Sequence, residues 1–353
     1  MSRVYICHTF YHAYIAVVKE LNMGKDHFGE ATLILSTMSN DFGNLKARVE
    51  KTGVFKDVYM FDEKADVTFP EVMKYHVDRG NQISNLIQRI KYTKLLGKMQ
   101  EPYVPVDLKK YDEVNVFCDS DPIGFYLNYK KIRYHSIEDG LNTCALCDQA
   151  LITNKGAFKL KKFMSKLGLI MIENGYARYC IDFEVNDISK NPHPPKNIVE
   201  KNRNEMFALL SEEDKKILVS MFIENSEELL EKLSSGNGKP CVMILTEPLC
   251  ELDVRKKLFG DIIDEYKDTH TVIIKPHPRD VLDYEKEFEN LIVIKGKFPM
   301  EVMNQISSLH VSKLISVITQ VDAIQFADDI VYLGFDFLDK YEAPEIHREN
   351  ESL

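Results

Sequence analysis

Short apolar runs recur along this chain, each followed by a stretch with helical spacing. In the first half Val4–Cys7, Ala31–Leu35, Val58–Phe61, Glu113–Phe117 and Lys131–Ile137 read as strands. Between them, Thr9–Leu21 places Tyr14, Ala16, Val17 and Leu21 at helical spacing. Asn44–Thr52 reads as a short helix and Ile83–Met99 as a basic amphipathic one. A proline-rich polar segment, Asn191-Pro192-His193-Pro194-Pro195, interrupts the pattern. A charged helical stretch then runs from Glu212 to Leu233 and ends at Ser234-Ser235-Gly236-Asn237-Gly238. Alternation resumes with strands at Cys241–Leu245, Val272–Ile274, Ile292–Ile294, Lys313–Val317 and Ile330–Leu333. Helices are expected over Leu252–Lys267, Pro299–Ile306 and Gln320–Ala327.

Alternating strands and helices imply parallel sheets covered on both faces, an α/β architecture. A chain of 353 residues is long for one core. The proline-rich segment is therefore read as a crossing between two Rossmann-like domains, 1–190 and 191–353, facing each other across a cleft.

Composition narrows the function classes. Hydrophobic content is 44% and charged content 28%, ordinary for a globular protein. A net charge of -10 argues against a nucleic-acid-binding surface, and any site for an anion must be built locally against that field. No stretch reaches the ~20 apolar residues of a membrane span, and Met1–Cys7 lacks the apolar region of a signal peptide. Seven scattered cysteines fit a reducing cytoplasm. Cys144 and Cys147 form a C-x-x-C without a second pair or nearby histidines at metal spacing, so no metal site is read there.

Lys275-Pro276-His277-Pro278-Arg279-Asp280 carries the most chemistry. It follows the run Thr271–Ile274, and Pro276 stops that strand because proline cannot donate to a ladder. Lys275, His277 and Arg279 are thereby presented together at a strand's carboxyl end, where open α/β sheets bind ligands. Three potential cations suit a phosphate. His277, held between two prolines, is placed to give a proton to a leaving group. Glu138-Asp139-Gly140 also follows a strand. Adjacent carboxylates there are costly unless solvated or used. Side chains alternate along extended backbone, so one of the pair faces a ligand: Asp139 is read as the base toward a sugar hydroxyl, Glu138 as its orienting neighbour. Glu301, in the first turn after Pro299, could accept hydrogen bonds from a ribose diol. Thr319 reads as a helix N-cap whose free backbone N–H groups make a phosphate site. Thr246 lies in a turn, Leu245–Leu249, that could line a nucleotide pocket.

In motif order the chain resembles the bacterial sialyltransferases of the GT-B type, the lipooligosaccharide and capsular enzymes and the polysialyltransferases. The resemblance rests on Glu138-Asp139-Gly140, on His277-Pro278, on Pro299, Glu301 and Val302, and on Thr246, Pro248 and Leu249. Ser316 and Thr319 match the family's phosphate loop less closely, because its paired hydroxyls are adjacent and these are not. The resemblance implies an inverting, metal-independent enzyme without a cofactor, moving sialic acid from CMP-sialic acid to a galactose-terminated glycan, with an α-2,3 linkage as the common case. Asp139 and His277 would be catalytic with Glu138. Lys275, Pro278, Arg279, Glu301, Ser316, Thr319 and Thr246 would hold the donor, and His8, Thr9, Asp119 and Asp121 would line the acceptor side. The N-terminal domain would then take the acceptor and the C-terminal domain CMP.

Two other enzyme classes fit the strand-end motif: a CDP-glycerol glycerophosphotransferase and a glycosyltransferase with a UDP or GDP donor. A non-catalytic glycan-binding scaffold ranks below both, since Asp139 and His277 are present. The segment from Lys155 to Leu167 interleaves lysines with apolar residues. It reads as a solvated helix whose Phe and Leu pack inward, with peripheral contact to an anionic inner membrane as the alternative.

Overall fold

The computed structural model describes residues 1–140, 149–190, 195–234, 238–319, 321 and 324–346. The Cys144/Cys147 pair, positions 191–194 of the proline-rich segment and positions 235–237 of the turn lie outside the described residues.

The chain divides into two compact units, Met1–Leu210 and Ser211–Leu353. Unit 1 is built on seven strands: β1 (Arg3–Cys7), β2 (Ala31–Ser36), β3 (Phe55–Phe61), β4 (Glu113–Val116), β5 (Tyr134–Ile137), β6 (Cys180–Val185) and β7 (Ile198–Glu200). Their spatial order is β3-β2-β1-β4-β5-β6-β7, all parallel. β1 and β2 are buried along their whole length, as strands covered on both faces should be. Unit 2 carries β8 (Cys241–Leu245), β9 (Thr271–Lys275), β10 (Leu291–Val293), β11 (Val311–Ser316) and β12 (Ala327–Tyr332). Their order, β10-β9-β8-β11-β12, repeats the first five positions of unit 1, again all parallel. In both sheets the order reverses beside the first strand, between β1 and β4 and between β8 and β11. Such reversals open a crevice at the strands' carboxyl ends.

The division falls at Leu210/Ser211 rather than at 190/191. The reason is that β7 adds to the edge of β6, and Arg203, in the helix Arg203–Ala208, is buried against Glu184 of β6 at 2.7 Å. Several predicted elements shift. β5 starts at Tyr134, because a helix, Pro122–Lys130, precedes it and Lys131 caps that helix in the left-handed region at φ 58°. This helix has no polar stripe to reveal it, since Pro122, Ile123, Gly124, Tyr126, Leu127 and Asn128 are all buried. The stretch from Glu212 to Leu233 is two helices, Glu212–Phe222 and Ser226–Ser234. Ile223 is extended between them, and Asn225 exchanges hydrogen bonds with Val293 and Lys295. Over Pro299–Ile306 the chain forms a 3₁₀ turn, Met300–Gln305. In the expected helix Gln320–Ala327, positions 320, 322 and 323 lie outside the described residues, Ile324–Phe326 is not helical, and Ala327 begins β12.

The basic segment forms the helix Phe158–Lys166. Phe158 and Met164 pack inward, but Leu160, Phe163 and Leu167 are about half exposed, at 50%, 57% and 47%. The expected inward packing of Phe and Leu is thus only partly realised, because a single helix on this surface buries one narrow face.

The long helix Gln82–Gln100 lies against the helix Pro122–Lys130 at Gly97. A Cβ at Gly97 would come within 2.3 Å of the Phe125 carbonyl oxygen and 2.7 Å of Tyr129 Cβ. Gly97→Ala is expected to destabilise unit 1 by about 1–3 kcal/mol through overpacking. Urea denaturation would read this as a lower midpoint at unchanged slope; an unchanged midpoint would mean that the helices can part freely.

Candidate functional site

Each unit gathers polar groups at the carboxyl ends of its strands. In unit 1 the centre is Asp139, two residues beyond β5. Its side chain is 60% exposed, and its carboxylate accepts a hydrogen bond from His12 Nε2 at 2.7 Å and from the Cys118 thiol at 3.2 Å. His12 Nδ1 accepts the backbone N–H of His8, so the neutral ring carries its proton on Nε2 and donates it to Asp139. Stacking on Phe117, with ring centroids 4.6 Å apart, fixes the ring plane. Burial lowers the pKa of His12, whereas the His12 hydrogen bond lowers that of Asp139. The pair is therefore a carboxylate facing a neutral imidazole. Burial pushes the Cys118 thiol well above its ordinary range, so it stays protonated and donates.

A buried layer supports this pair. His8, 2% exposed, bonds through Nε2 to Glu63 at 2.8 Å. Glu63 also accepts the Ser36 hydroxyl at 2.6 Å and the Ile123 N–H at 2.7 Å. One carboxylate, in the loop after β3, thereby ties together the loop after β1, the end of β2 and the start of the helix Pro122–Lys130. Thr9 caps the helix Phe10–Met23 by accepting the His12 N–H. Asp119 is 1% exposed; it accepts the Tyr134 hydroxyl and the Asn174 N–H, and burial raises its pKa to about 6. These placements give His8, Thr9 and Asp119, read from the sequence as lining the acceptor side, a part in holding the framework. Asp121 keeps partial exposure, 3.5 Å from His8, and its pKa is also raised to about 6, by burial.

Glu138 is corrected. It is buried, accepts the Asn186 N–H at 2.8 Å and lies 3.7 Å from Arg203. The groups bonded to the Asp139 carboxylate are His12 and Cys118, neither of which the sequence reading selected. The signal available for His12 was its place in the first turn of a helix that starts directly after β1, where its Nδ1 takes the His8 N–H. Beside Asp139 a cavity of about 880 Å³ opens, lined by Tyr75, His76, Arg89, Tyr92 and Glu173 among others.

In unit 2 the turn after β9 is held by Asp280. Its carboxylate accepts Arg255 Nη1 at 2.7 Å, the Thr246 hydroxyl, the Tyr284 hydroxyl at 2.9 Å and the Leu282 N–H at 3.1 Å. Thr246, 1% exposed, in turn accepts the His277 N–H at 3.0 Å. Thr246 is therefore a brace beneath the turn instead of a donor-facing group. His277 Nδ1 accepts the Arg279 N–H at 3.1 Å, which leaves Nε2 as the protonated nitrogen of the neutral ring. Burial lowers the His277 pKa, and Arg279 and Lys275 lower it further. Pro278 and Arg279 are exposed. Lys275 is 4% exposed, bonds to the Pro276 carbonyl at 2.9 Å and stands 4.4 Å above the Phe298 ring; burial lowers its pKa to about 8.

Beyond β11 the loop has its own arrangement. The Ser316 hydroxyl is buried and donates to the Thr319 carbonyl at 2.6 Å, so it stabilises the loop from within. The Thr319 N–H donates to Glu247 at 2.9 Å, and its hydroxyl donates to the same oxygen. Glu301 lies in the first turn of Met300–Gln305 and is partly exposed.

The model for glycosyltransferase family 52 matches residues 57–326, well over half of the chain. This chain belongs to glycosyltransferase family 52. The family is one of bacterial sialyltransferases, as the motifs indicated. Two solved structures share the fold. One is the GT-B domain of a sialyltransferase from Photobacterium damselae, with TM-score 0.52 and 12% identity, covering 94% of this chain and 91% of that one. The other is a 2,6-sialyltransferase from Photobacterium sp. JT-ISH-224 in complex with CMP and lactose, with TM-score 0.51 and 8% identity, covering 94% and 71%. A Haemophilus influenzae protein of uncharacterised function is 34% identical over 103 residues, and the match spans 28% of this chain and 31% of that one. The family 52 member described here is thus a glycosyltransferase with the GT-B fold. Among its described residues no helix is long and apolar enough to cross a membrane.

Proposed function

We propose that this family 52 enzyme transfers sialic acid from CMP-sialic acid to a galactose-terminated glycan, with inversion and without a metal, in the synthesis of a surface polysaccharide. The observation that carries the reading is the Asp139 carboxylate, half exposed, kept ionised by His12 and opening onto a cavity large enough for sugar residues. Unit 1 takes the acceptor and unit 2 takes CMP. Asp139 receives the proton of the acceptor hydroxyl as that oxygen bonds to the anomeric carbon. The bond from that carbon to the CMP phosphate oxygen breaks, and the electron pair leaves with CMP. His277 Nε2–H donates to the departing phosphate, and Arg279 adds positive charge from the exposed side of the turn. Lys275 contributes from beneath. The leaving group carries one phosphate, whose charge these side chains can meet. Galactose position 3 is the proposed acceptor hydroxyl, and Glu301 the proposed ribose ligand.

Peripheral contact with an anionic membrane carrying the acceptor belongs to the same reading. Its support is the helix Phe158–Lys166, which exposes Leu160 and Phe163 among lysines.

Calorimetric titration with CMP, CDP, UDP and GDP tests the donor. The expected result is preferential CMP binding that is lost in His277→Ala, followed by transfer to lactose from CMP-sialic acid. Preference for UDP or GDP would remove the CMP-sialic acid donor and leave a glycosyltransferase of another specificity.

A further inference from the structure

Glu247 lies two residues past β8, 5% exposed, directly across the sheet reversal from the loop after β11. The hydrogen bonds identified for its carboxylate come from that loop, the Thr319 N–H at 2.9 Å and the Thr319 hydroxyl, and the Ile318 N–H beside them also favours its charge. Two successive backbone N–H groups and a hydroxyl converging on one point form an anion-binding concavity. Burial and the neighbouring Asp280 disfavour the charge on this carboxylate, and the loop's donors favour it. Its charge is thus held chiefly by those donors. Those donors are the ones a donor phosphate would use if it binds at Thr319, where the resemblance to the sialyltransferases puts it beside the His277 turn of the proposed function.

We propose that Glu247 is an internal competitor of the donor phosphate. Its carboxylate takes the Ile318 and Thr319 donors that the nucleotide's phosphate also requires, so that nucleotide binding includes displacement of this side chain. This rests on the reading of the Thr319 loop as the phosphate site. Displacement has a physical route: the Glu side chain has three rotatable bonds, and the neighbouring Thr246 is locked to Asp280 and His277, so Glu247 can swing while the turn beside it stays in place. Ser316, bonded to the Thr319 carbonyl, keeps the loop in shape when the carboxylate leaves.

The test compares CMP and cytidine binding by calorimetry in the full-length wild type and in Glu247→Ala, Glu247→Gln and Glu247→Asp. Competition predicts CMP binding tighter by about 5- to 50-fold in Glu247→Ala, corresponding to ~1–2.3 kcal/mol, with cytidine unchanged because it has no phosphate. Glu247→Asp is the deciding variant. It keeps the charge but falls one methylene short of Thr319, so competition predicts tighter CMP binding there too. A purely through-space repulsion predicts no change in Glu247→Asp and would overturn the proposal. CMP binding weakened in all three variants would make Glu247 a brace or a nucleotide ligand and would also overturn it. If the wild type binds neither CMP nor cytidine while another nucleotide binds, the donor reading fails. Repeating the series with that nucleotide then tests the competition by itself, and an unchanged affinity in every variant overturns it. Thermal denaturation of each variant alone shows whether the loop remains folded.

Discussion

Asp139→Asn is expected to lower kcat about 10²–10⁴-fold, the usual worth of a general base, with nucleotide binding unchanged. Asparagine keeps the volume and can still accept from His12 Nε2 and Cys118, so the site's shape persists while the proton acceptor is lost. The environment of Asp139 also sets when the proton moves. Its pKa lies below the ordinary carboxylate range because the His12 hydrogen bond favours the ionised form. A carboxylate of low proton affinity cannot deprotonate a sugar hydroxyl in advance; it accepts the proton late, once the oxygen has begun to bond to the anomeric carbon. The group is ionised throughout the neutral range, so its protonation should not limit the rate until the pH falls below the ordinary carboxylate value of 3.8. Transfer assays with purified variants decide the matter: Asp139→Asn retaining near-wild-type turnover would remove it from the reaction.

His277→Ala is the second large effect, again expected at about 10²–10⁴-fold in turnover, with loss of CMP affinity as well. The hydrogen bond from the Arg279 N–H to Nδ1 holds the ring as the Nε2–H tautomer. Protonating Nδ1 would set two donors against each other, which agrees with the lowered pKa that burial and the neighbouring cations give this ring. The sign follows directly. The working form is the neutral ring that donates from Nε2, it exists above the lowered pKa, and it is lost as the pH falls through that value. The acid limb of kcat/KM should therefore lie below the ordinary imidazole value of 6.5. A limb above that value would mean that the free enzyme needs the imidazolium. Unfolding midpoints should barely change, since Asp280, Arg255 and Thr246 hold the turn without the His277 ring.

How far the chain could be read in advance depended on how each residue's role is written locally. Ten of the twelve strands were read as apolar runs and survive in the structure with shifted ends, whereas β6 (Cys180–Val185) and β7 (Ile198–Glu200) were missed, because charged residues interrupt the first and the second is only three residues long. The helix Pro122–Lys130 was missed because it is buried nearly all round and so carries no period. Asp139, His277 and Arg279 were legible because a strand end presents them. Their partners were not. Glu63 reaches His8 across 55 positions, Asp280 reaches Arg255 across 25, and His12 reaches Asp139 across 127. Such bonds exist only once parallel strands bring distant loops to the same edge. The same blindness conceals a framework role for residues read as ligand-binding. Thr246, Ser316, His8, Thr9 and Asp119 occupy the strand ends and loops where ligand-binding groups sit, yet each bonds to another part of the fold. Glu138 and Asp139 are adjacent, and alternation along the backbone sends one to Arg203 and the other to the open side.

The repeated strand order of the two sheets, with a polar cluster at the carboxyl ends of the strands in each, has a consequence for descent. Asp139 and the groups bonded to it are encoded wholly within Met1–Leu210, and the His277 turn and the Thr319 loop wholly within Ser211–Leu353. Each half can therefore accumulate change without breaking hydrogen bonds in the other. If the proposed division of roles holds, a lineage could exchange the loops around Asp139, and so the glycan it decorates, while inheriting its nucleotide chemistry intact. Diversity among such enzymes should then concentrate in the first half of the gene.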